Sequence, residues 1–278
     1  MNQKLLLGTA IAFGLAMGAS NADACAISAW SSATGLTAAD TGSPPSFIRY
    51  SQACGLRVDA ANEFVQDNTP ENDAQYRVRF YVYTGDVTGN TPIFRARGTG
   101  GTSLLTVTYN GGASNSFVVG LNGTASTFTM PNVTDNRWYS VELNWTAAAS
   151  GGVTGKIRGA GATSALGAQN VDITGLTGVN NNADRVTDAQ LGALAASGLT
   201  FTAPMYFDDF DSRRTTSPGR KARGDANGNG NVTATDAVVV LNEAANGTLA
   251  AGQPDCNENG SVTATDGVCV LNIAANGD

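Results

Sequence analysis

The stretch QYRVRFYVYT, residues 75–84, alternates in character from one side chain to the next. Because successive side chains of a β-strand point to opposite faces, this alternation predicts a strand with two different faces. The apolar face is predicted to pack in a core, and it consists of Tyr76, Val78, Phe80 and Val82. The other face is predicted to point outward, and it consists of Arg77, Arg79, Tyr81 and Tyr83.

A second stretch, RWYSVELNW at 137–145, has the same pattern. Its predicted inward side chains are Tyr139, Val141, Leu143 and Trp145, and its outward ones are Trp138, Ser140, Glu142 and Asn144. Further predicted strands cover 103–109, 116–121, 126–130, 153–159 and 199–210, and 184–198 favours a strand over a short helix. Turn-like sequences such as TGDVTGN and YNGGASN separate them. This organisation predicts a mainly β fold, a two-sheet antiparallel sandwich, from about residue 27 to 214.

The composition limits the functional class. Of the 278 residues only 14% are charged, against a usual quarter, and 34 are glycine. This profile is typical of a secreted, turn-rich β protein. The formal net charge of −7 argues against a nucleic-acid partner, which needs a basic surface.

Residues 1–24 have the organisation of a signal peptide. Lys4 precedes an apolar stretch from Leu5 to Met17, and Ala22-Asp23-Ala24 forms a small-residue cleavage site before Cys25. A lipid on Cys25 is an alternative, although Ala22 stands where lipoprotein signals usually have Leu. No other stretch approaches the roughly 18 apolar residues of a membrane span. The sequence therefore predicts a secreted, extracellular bacterial protein without a membrane span.

Four cysteines fit an exported protein, in which disulfides persist. Four cysteines allow three pairings, and pairing within each half of the chain is the simplest. We therefore expect Cys25–Cys54 and Cys256–Cys269 disulfides. A zinc site is not expected, because the chain has neither a C-x-x-C motif nor a histidine.

Catalytic residues are scarce in the first 214 residues. Glycoside hydrolysis usually needs two carboxylates, yet only Glu63, Glu71 and Glu142 are glutamates here. Without histidine, a Ser-His-Asp triad is excluded. Glu142, on the outward face beside Trp138, is the one candidate catalytic residue; the alternative is a solvated strand residue. A non-catalytic domain is therefore favoured.

The run YFDDFDSRR at 206–214, together with GLRVDA and YRVRFYVYT, resembles the concanavalin A-like (LamG-like) jelly-roll domains of bacterial secreted proteins. The resemblance implies a jelly-roll sandwich over residues 25–214, which binds carbohydrate, cleaves it or forms a scaffold. The glutamate motif of jelly-roll glucanases is absent. A glycan-binding patch of aromatic and arginine side chains is favoured over catalysis, and its candidates are Arg77, Arg79, Tyr81, Tyr83 and Trp138. The alternative is that these side chains simply cover the solvent face of a strand or lie under a loop. The acids Asp208, Asp209 and Asp211 would hold calcium or pair with Arg213 and Arg214.

The stretch GDANGNGNVTATDAVVVLNEAANG, residues 224–247, recurs as PDCNENGSVTATDGVCVLNIAANG at 254–277. With the first Asp of each copy as position 1, oxygen-bearing side chains fall at positions 1, 3, 5 and 12, and glycine falls at position 6. This is the spacing of a calcium-binding EF-hand loop, in which the carbonyl of position 7 also binds the ion. We expect two calcium ions, held by Asp225, Asn227, Asn229, Asn231 and Asp236 and by Asp255, Asn257, Asn259, Ser261 and Asp266.

A loop followed by a single helix and then duplicated, with Asp at position 12, resembles the type I dockerin. The resemblance implies calcium in both loops and binding to a cohesin module on a scaffold protein, often in polysaccharide degradation. It also implies that positions 10 and 11 of each loop contact the cohesin; here they are Ala234, Thr235, Ala264 and Thr265. The apolar end of each copy is predicted to be a short helix that stops at Asn-Gly.

The sequence thus predicts a signal peptide (1–24), a jelly-roll domain (25–214), a linker (215–223) with a solvated Arg/Lys cluster, and a dockerin-like calcium module (224–278). The predicted function is polysaccharide recognition or scaffolding joined to cohesin docking. One alternative is an extracellular matrix or adhesin protein with a calcium-stabilised cap. Another is a divergent polysaccharide hydrolase or lyase.

Overall fold

The computed structural model describes residues 27–36, 40–41, 48–52, 54–159 and 170–277. The predicted signal peptide and Cys25 lie outside these residues, and so does the predicted Cys25–Cys54 disulfide. No helix among the described residues has the length and apolar character to span a membrane.

The first part of the chain forms two antiparallel β-sheets. In chain order the described strands are β1 (Ser32–Thr34), β2 (Asp40–Thr41), β3 (Cys54–Val58), β4 (Glu63–Asp67), β5 (Gln75–Tyr83), β6 (Asp86–Arg97), β7 (Ser103–Gly111), β8 (Ser116–Leu121), β9 (Thr127–Pro131), β10 (Trp138–Thr146), β11 (Gly151–Gly159), β12 (Asn170–Ile173), β13 (Thr177–Val179), β14 (Asp188–Ala193), β15 (Thr200–Ala203) and β16 (Met205–Arg213). The first sheet has the order β1-β4-β14-β6-β7-β8-β9, and β15 also pairs with β6. The second has the order β12-β11-β10-β5-β16-β3-β2, and β13 also pairs with β11.

The two sheets face each other across one apolar core, as expected of a sandwich. The rings of Phe80 in β5 and Phe94 in β6 stack across it, with centroids 5.3 Å apart. The predicted inward side chains of β5 and β10 all lie in this core. The alternating pattern therefore assigned the inner face of the second sheet correctly, because the core requires every second residue to be apolar.

The prediction that TGDVTGN, residues 84–90, forms a turn is right only for Thr84 and Gly85, which connect β5 to β6, and wrong for the rest. Residues 86–97 form β6, which pairs with both β7 and β14 near the middle of the first sheet. Gly89 is in a left-handed conformation (φ 111°), and a Cβ there would lie 2.3 Å from the Gly198 carbonyl oxygen. The glycine thus permits a close approach within a strand, which the sequence alone made look like a turn.

The C-terminal part of the chain folds into two loops and two helices. The helices are α1 (Ala234–Asn246) and α2 (Ala264–Asn276), each opened by a Thr–Asp capping box. Gly247 ends α1 in a left-handed conformation, and its N–H donates to the carbonyl of Glu243. A Cys256–Cys269 disulfide is present as predicted. It belongs to a small apolar cluster between the helices, which also contains Ala237, Val240 and Val270.

The C-terminal part packs on the outward face of the second sheet. Five aromatic side chains form a second buried cluster on this face: Tyr50, Tyr81, Tyr83, Trp138 and Tyr206. The Trp138 amide donates to the Glu258 carbonyl oxygen, and the Gln52 amide donates to that of Gly252. The rings are therefore covered by loops that follow them in sequence, by more than a hundred residues for every ring except that of Tyr206.

A buried ion pair joins the two parts. The Arg49 guanidinium bonds the Glu243 carboxylate in α1, and the exposed fractions of these side chains are 0% and 3%. The Ala250 amide donates to the other Glu243 oxygen at 2.8 Å. In the second copy Ile273 stands at the position of Glu243, so only the first helix makes this contact.

Arg49→Met is expected to lower the free energy of unfolding by about 3–5 kcal/mol, because it leaves the buried Glu243 carboxylate without its partner. The double variant Arg49→Met/Glu243→Ile should regain part of this loss. Lys156→Met is the matched control, since the exposed Lys156–Asp172 pair should contribute less than about 1 kcal/mol. Denaturant unfolding measures all three. If Arg49→Met lowers the free energy of unfolding no more than Lys156→Met does, the buried contact between the sandwich and α1 is contradicted.

Candidate functional site

The first calcium-type loop is closed by its own side chains. Asp225 at position 1 accepts hydrogen bonds from the amides of Asn229 (3.0 Å) and Gly230 (2.8 Å). Asp236 at position 12 accepts from the amides of Asn227 (3.0 Å) and Thr233 (2.9 Å). Both carboxylates therefore lie on the inner side of a loop that wraps back on itself.

The second loop closes in the same way. Asp255 accepts from the amides of Asn259 (3.0 Å) and Gly260 (2.6 Å), and Asp266 accepts from those of Asn257 (3.0 Å) and Thr263 (2.9 Å). The two loops thus make the same hydrogen bonds at equivalent positions of the repeat. Asn231 and Ser261, at position 7, donate their amides to the side-chain oxygens of the asparagines at position 5.

The electrostatics of the loops fit a hard cation. Asp236 and Asp266 are fully buried, and Asp255 is 1% exposed. Burial, followed by the charge of Asp266, raises the pKa of Asp255 well above its usual range. Two neighbouring buried carboxylates favour a positive ion between them. No group of three or more His, Cys, Asp or Glu side chains with metal-binding geometry occurs among the described residues, so amide and carbonyl oxygens would supply the remaining ligands.

The positions implied to contact a cohesin lie at the exposed start of each helix. They are Ala234, Thr235, Ala264 and Thr265. The same side of the module carries large apolar side chains at matching positions of the two copies: Val238 and Leu241 in α1, and Val268 and Leu271 in α2. The described module therefore keeps a duplicated, partly apolar outer surface.

The predicted glycan-binding face is not exposed. Tyr81, Tyr83 and Trp138 are 0%, 5% and 1% exposed, because the C-terminal module covers them. Tyr81 stacks on Tyr50, with ring centroids 3.6 Å apart. The expectation of an aromatic platform open to sugar is therefore corrected. The alternation of 75–84 identified the residues that share a face, but it contained no information on what covers that face.

The two predicted glycan-binding arginines are also occupied. Arg77 donates to the Arg214 carbonyl, and Arg79 donates to the Gly219 carbonyl at 2.9 Å. The Tyr81 hydroxyl accepts from the Lys221 amide at 2.8 Å. Residues 219–221 thus lie against the sheet. The prediction of a solvated Arg/Lys cluster is wrong, because the Arg220 side chain bonds Glu258 and Arg223 is buried.

The candidate Glu142 lies among basic side chains. It pairs in register with Arg79 on one side and Lys156 on the other, and its carboxylate is 3.8 Å from the Arg158 guanidinium. Two of the three acids of β16 are also paired with cations: Asp211 bonds Arg213, as one of the two expectations stated, and Asp209 bonds Lys221. Asp208 instead accepts from the amides of Tyr50 and Ser51, and Arg214 bonds Asp73, so the expected pairing of these acids with Arg214 is wrong.

The sequence offered no pattern for Glu258, which bonds both the sandwich and the connecting segment. It stands at position 4 of the second loop, with φ 55°, where the first loop has Gly228. Its carboxylate accepts from the Tyr50 hydroxyl (2.9 Å) and from Arg220 (2.6 Å). The sequence signal for Glu258 is the difference between the two copies at position 4, which is Gly228 in the first loop and Glu258 in the second.

Residues 223–273 match the family model of the Dockerin type I domain, so the predicted dockerin resemblance is confirmed for this part of the chain. No curated protein matches the chain by sequence. Among solved structures, an endo-β-1,4-glucuronan lyase from the fungus Trichoderma reesei is 12% identical over 69% of this chain and 94% of that chain, with a TM-score of 0.45. A PL-14 alginate lyase from Aplysia kurodai is 12% identical over 63% and 87%, with a TM-score of 0.41.

The equivalent glycines Gly230 and Gly260 allow a matched test of the packing between module and sheet. Both have left-handed backbones (φ 88° and 85°), so alanine costs each about 1–2 kcal/mol. A Cβ at Gly260 would lie 2.7 Å from the Tyr83 ring, whereas at Gly230 no atom of the described residues lies within 4 Å. Gly260→Ala should therefore lose about 1–3 kcal/mol more than Gly230→Ala in thermal unfolding with calcium. Equal losses would show that Gly260 does not face the sheet.

Proposed function

We propose that the protein is a secreted docking protein associated with polysaccharide degradation, in which residues 224–277 bind calcium and a cohesin-type partner and carry the sandwich to it. The observation behind the proposal is the match of residues 223–273 to the Dockerin type I family model. Dockerin domains bind cohesins, and they occur in secreted extracellular proteins. The predicted signal peptide over 1–24 agrees with export.

The outer surface of the two helices is the proposed docking surface. It combines the four residues at positions 10 and 11 with the exposed side chains Val238, Leu241, Val268 and Leu271. Exposed apolar side chains that cluster in this way typically mark a protein–protein contact. The sandwich instead contacts Glu243 and the second loop at Glu258 and Gly260. Partner and sandwich therefore use different surfaces, and docking does not require the module to leave the sheet.

Calcium is proposed to hold each loop closed. Each loop combines two carboxylates with two asparagine side chains, so one divalent ion nearly neutralises the buried charge. Without the ion the paired carboxylates of each loop repel each other, and the small apolar cluster between the helices has little capacity to compensate.

Calorimetric titration of the full chain should give two bound calcium ions. Asp225→Ala and Asp255→Ala should each remove one ion, since each deletes the position-1 carboxylate of one loop. Asp59→Ala, an exposed change in the sandwich, is the control and should leave two. A single ion in the unaltered chain, or two in both loop variants, would refute the assignment.

Docking should depend on the outer helix surface. The double variant Leu241→Asp/Leu271→Asp is expected to weaken binding to a type I cohesin at least 100-fold, because it places charge on both halves of an apolar contact. Leu249→Asp changes another exposed apolar residue of the module, outside the helices, and should have little effect. Surface plasmon resonance against a panel of type I cohesins measures both. Unchanged binding of the double variant would contradict the proposed surface.

A second candidate is supported by the covered aromatic face: the module acts as a calcium-stabilised cap of a matrix or adhesin protein. Five aromatic side chains on the outward face of the second sheet are buried beneath it. Under this alternative no cohesin of the panel would bind, while the calcium stoichiometry and the Gly260 effect would stay the same. The cohesin panel therefore separates the two candidates.

A further inference from the structure

A cleft lies where the sandwich, residues 218–222 and the first calcium-type loop meet. Its volume is about 870 Å³, within the range of roughly 300–1,000 Å³ that is usual for ligand sites. The sandwich provides Trp30, Asp67 and the bulged part of β16, and the module provides residues of the first loop such as Gly228. The cleft therefore exists because the module packs on the sandwich, and neither part forms it alone.

One wall of the cleft is aromatic. The rings of Trp30 and Phe210 have centroids 4.9 Å apart, and both side chains pack against the sandwich core while remaining partly exposed. Phe210 follows Asp209, whose left-handed backbone (φ 49°) belongs to the bulge between β16 and β5. The bulge thus turns an aromatic ring toward the cleft. Flat apolar rings that are fixed from behind suit the faces of sugar rings.

The polar side chains of the cleft are held in place and are rich in acceptors. Asp67 accepts from the Thr69 amide (2.8 Å) and hydroxyl (3.0 Å), and Asp211 accepts from Arg213. An ionised carboxylate has about four acceptor sites, so both groups keep capacity for further donors. Hydroxyl groups of a ligand are suitable donors. Because these acceptors are already ordered, a ligand that binds them has a smaller ordering cost.

The charge of the lining argues against an acidic ligand. Acidic side chains outnumber basic ones, with Asp67, Asp208, Asp209, Asp211 and Asp225 against Arg79, Arg220 and Lys221. Each basic side chain already has a carboxylate within 4.0 Å: Arg79 has Asp211, Lys221 has Asp209, and Arg220 has Glu258. Burial, followed by the neighbouring Asp209, raises the pKa of Asp208 to about 8, and Asp225 is a predicted calcium ligand, so Asp67, Asp209 and Asp211 balance the three bases. Among the described lining residues every basic side chain thus has a carboxylate partner, so none is left unpaired for a uronic-acid chain.

We propose that this cleft binds a short neutral oligosaccharide, with one sugar ring against Trp30 and hydroxyl groups on Asp67 and Asp211. The inference rests on the proposed association with polysaccharide degradation, and it moves the sugar site away from the covered face of β5 and β10. It also makes the first calcium-type loop part of the sugar site, through Gly228 and Gly230 at the rim.

The test is titration of the full chain, with calcium present, against cellotetraose, xylotetraose and mannotetraose, and against a tetrauronate of the same length. We expect at least one neutral tetrasaccharide to bind and the tetrauronate to bind at least tenfold more weakly. Trp30→Ala should weaken the neutral ligand at least tenfold, and Trp30→Phe, which keeps a ring, by less than threefold. Phe128→Ala is the control, because Phe128 is also a partly exposed ring on the sandwich core but lies outside the cleft.

Three results would overturn the proposal: no binding of any neutral tetrasaccharide, preferred binding of the tetrauronate, or equal affinity of Trp30→Ala and the unaltered chain. The melting temperature of each variant checks that it is folded, and Trp30→Phe keeps the test valid if Trp30→Ala does not fold. Cohesin binding is measured on the same samples. A chain that binds cohesin but no sugar refutes the cleft alone, whereas one that binds sugar but no cohesin refutes the docking role alone.

Discussion

The hydrogen bonds of Glu258 are the constraint on which the arrangement of this protein depends. This residue is 2% exposed, and its carboxylate is shared between Tyr50 of the sandwich and Arg220 of the connecting segment. Its carbonyl accepts from the Trp138 amide, at the first residue of a central strand. Three separate parts of the chain therefore meet at one side chain between two predicted calcium ligands. A buried carboxylate is stable only while such partners are in place, so the position of the module follows from them.

The duplication is symmetric where the module is exposed and asymmetric where it is covered. Leu241 and Leu271 occupy equal positions on the outer surface. In contrast, Glu243 and Glu258 replace the Ile273 and Gly228 of the opposite copies, and both glutamates bond the sandwich. The outer surface thus keeps, in both copies, the features that a docking partner would recognise. Each glutamate that bonds the sandwich occurs in one copy only.

Sequence reasoning was most successful where a single period decides the structure. The spacing from Asp225 to Asp236 identified the loops, and the Asn-Gly pairs identified the ends of both helices. The alternation of 75–84 identified the core residues of β5. Sequence reasoning failed at residues 86–90, because glycine in a central strand resembles a turn until the approaching Gly198 is seen. It also failed for Trp138 and Tyr83, because the residues that cover them follow at positions 252–260, and no local pattern reports a contact over that separation.

The three tryptophans allow a direct test of whether the module covers the outward face of the second sheet. Trp145 lies in the sandwich core, Trp138 lies under the module, and Trp30 is partly exposed. Hydroxyl-radical footprinting of the full chain in calcium should therefore modify Trp30 and leave Trp138 and Trp145 protected. Chelation should make Trp138 reactive while Trp145 stays protected. Modification of Trp138 in calcium at the rate of Trp30 would show that the module does not cover this face of the sheet.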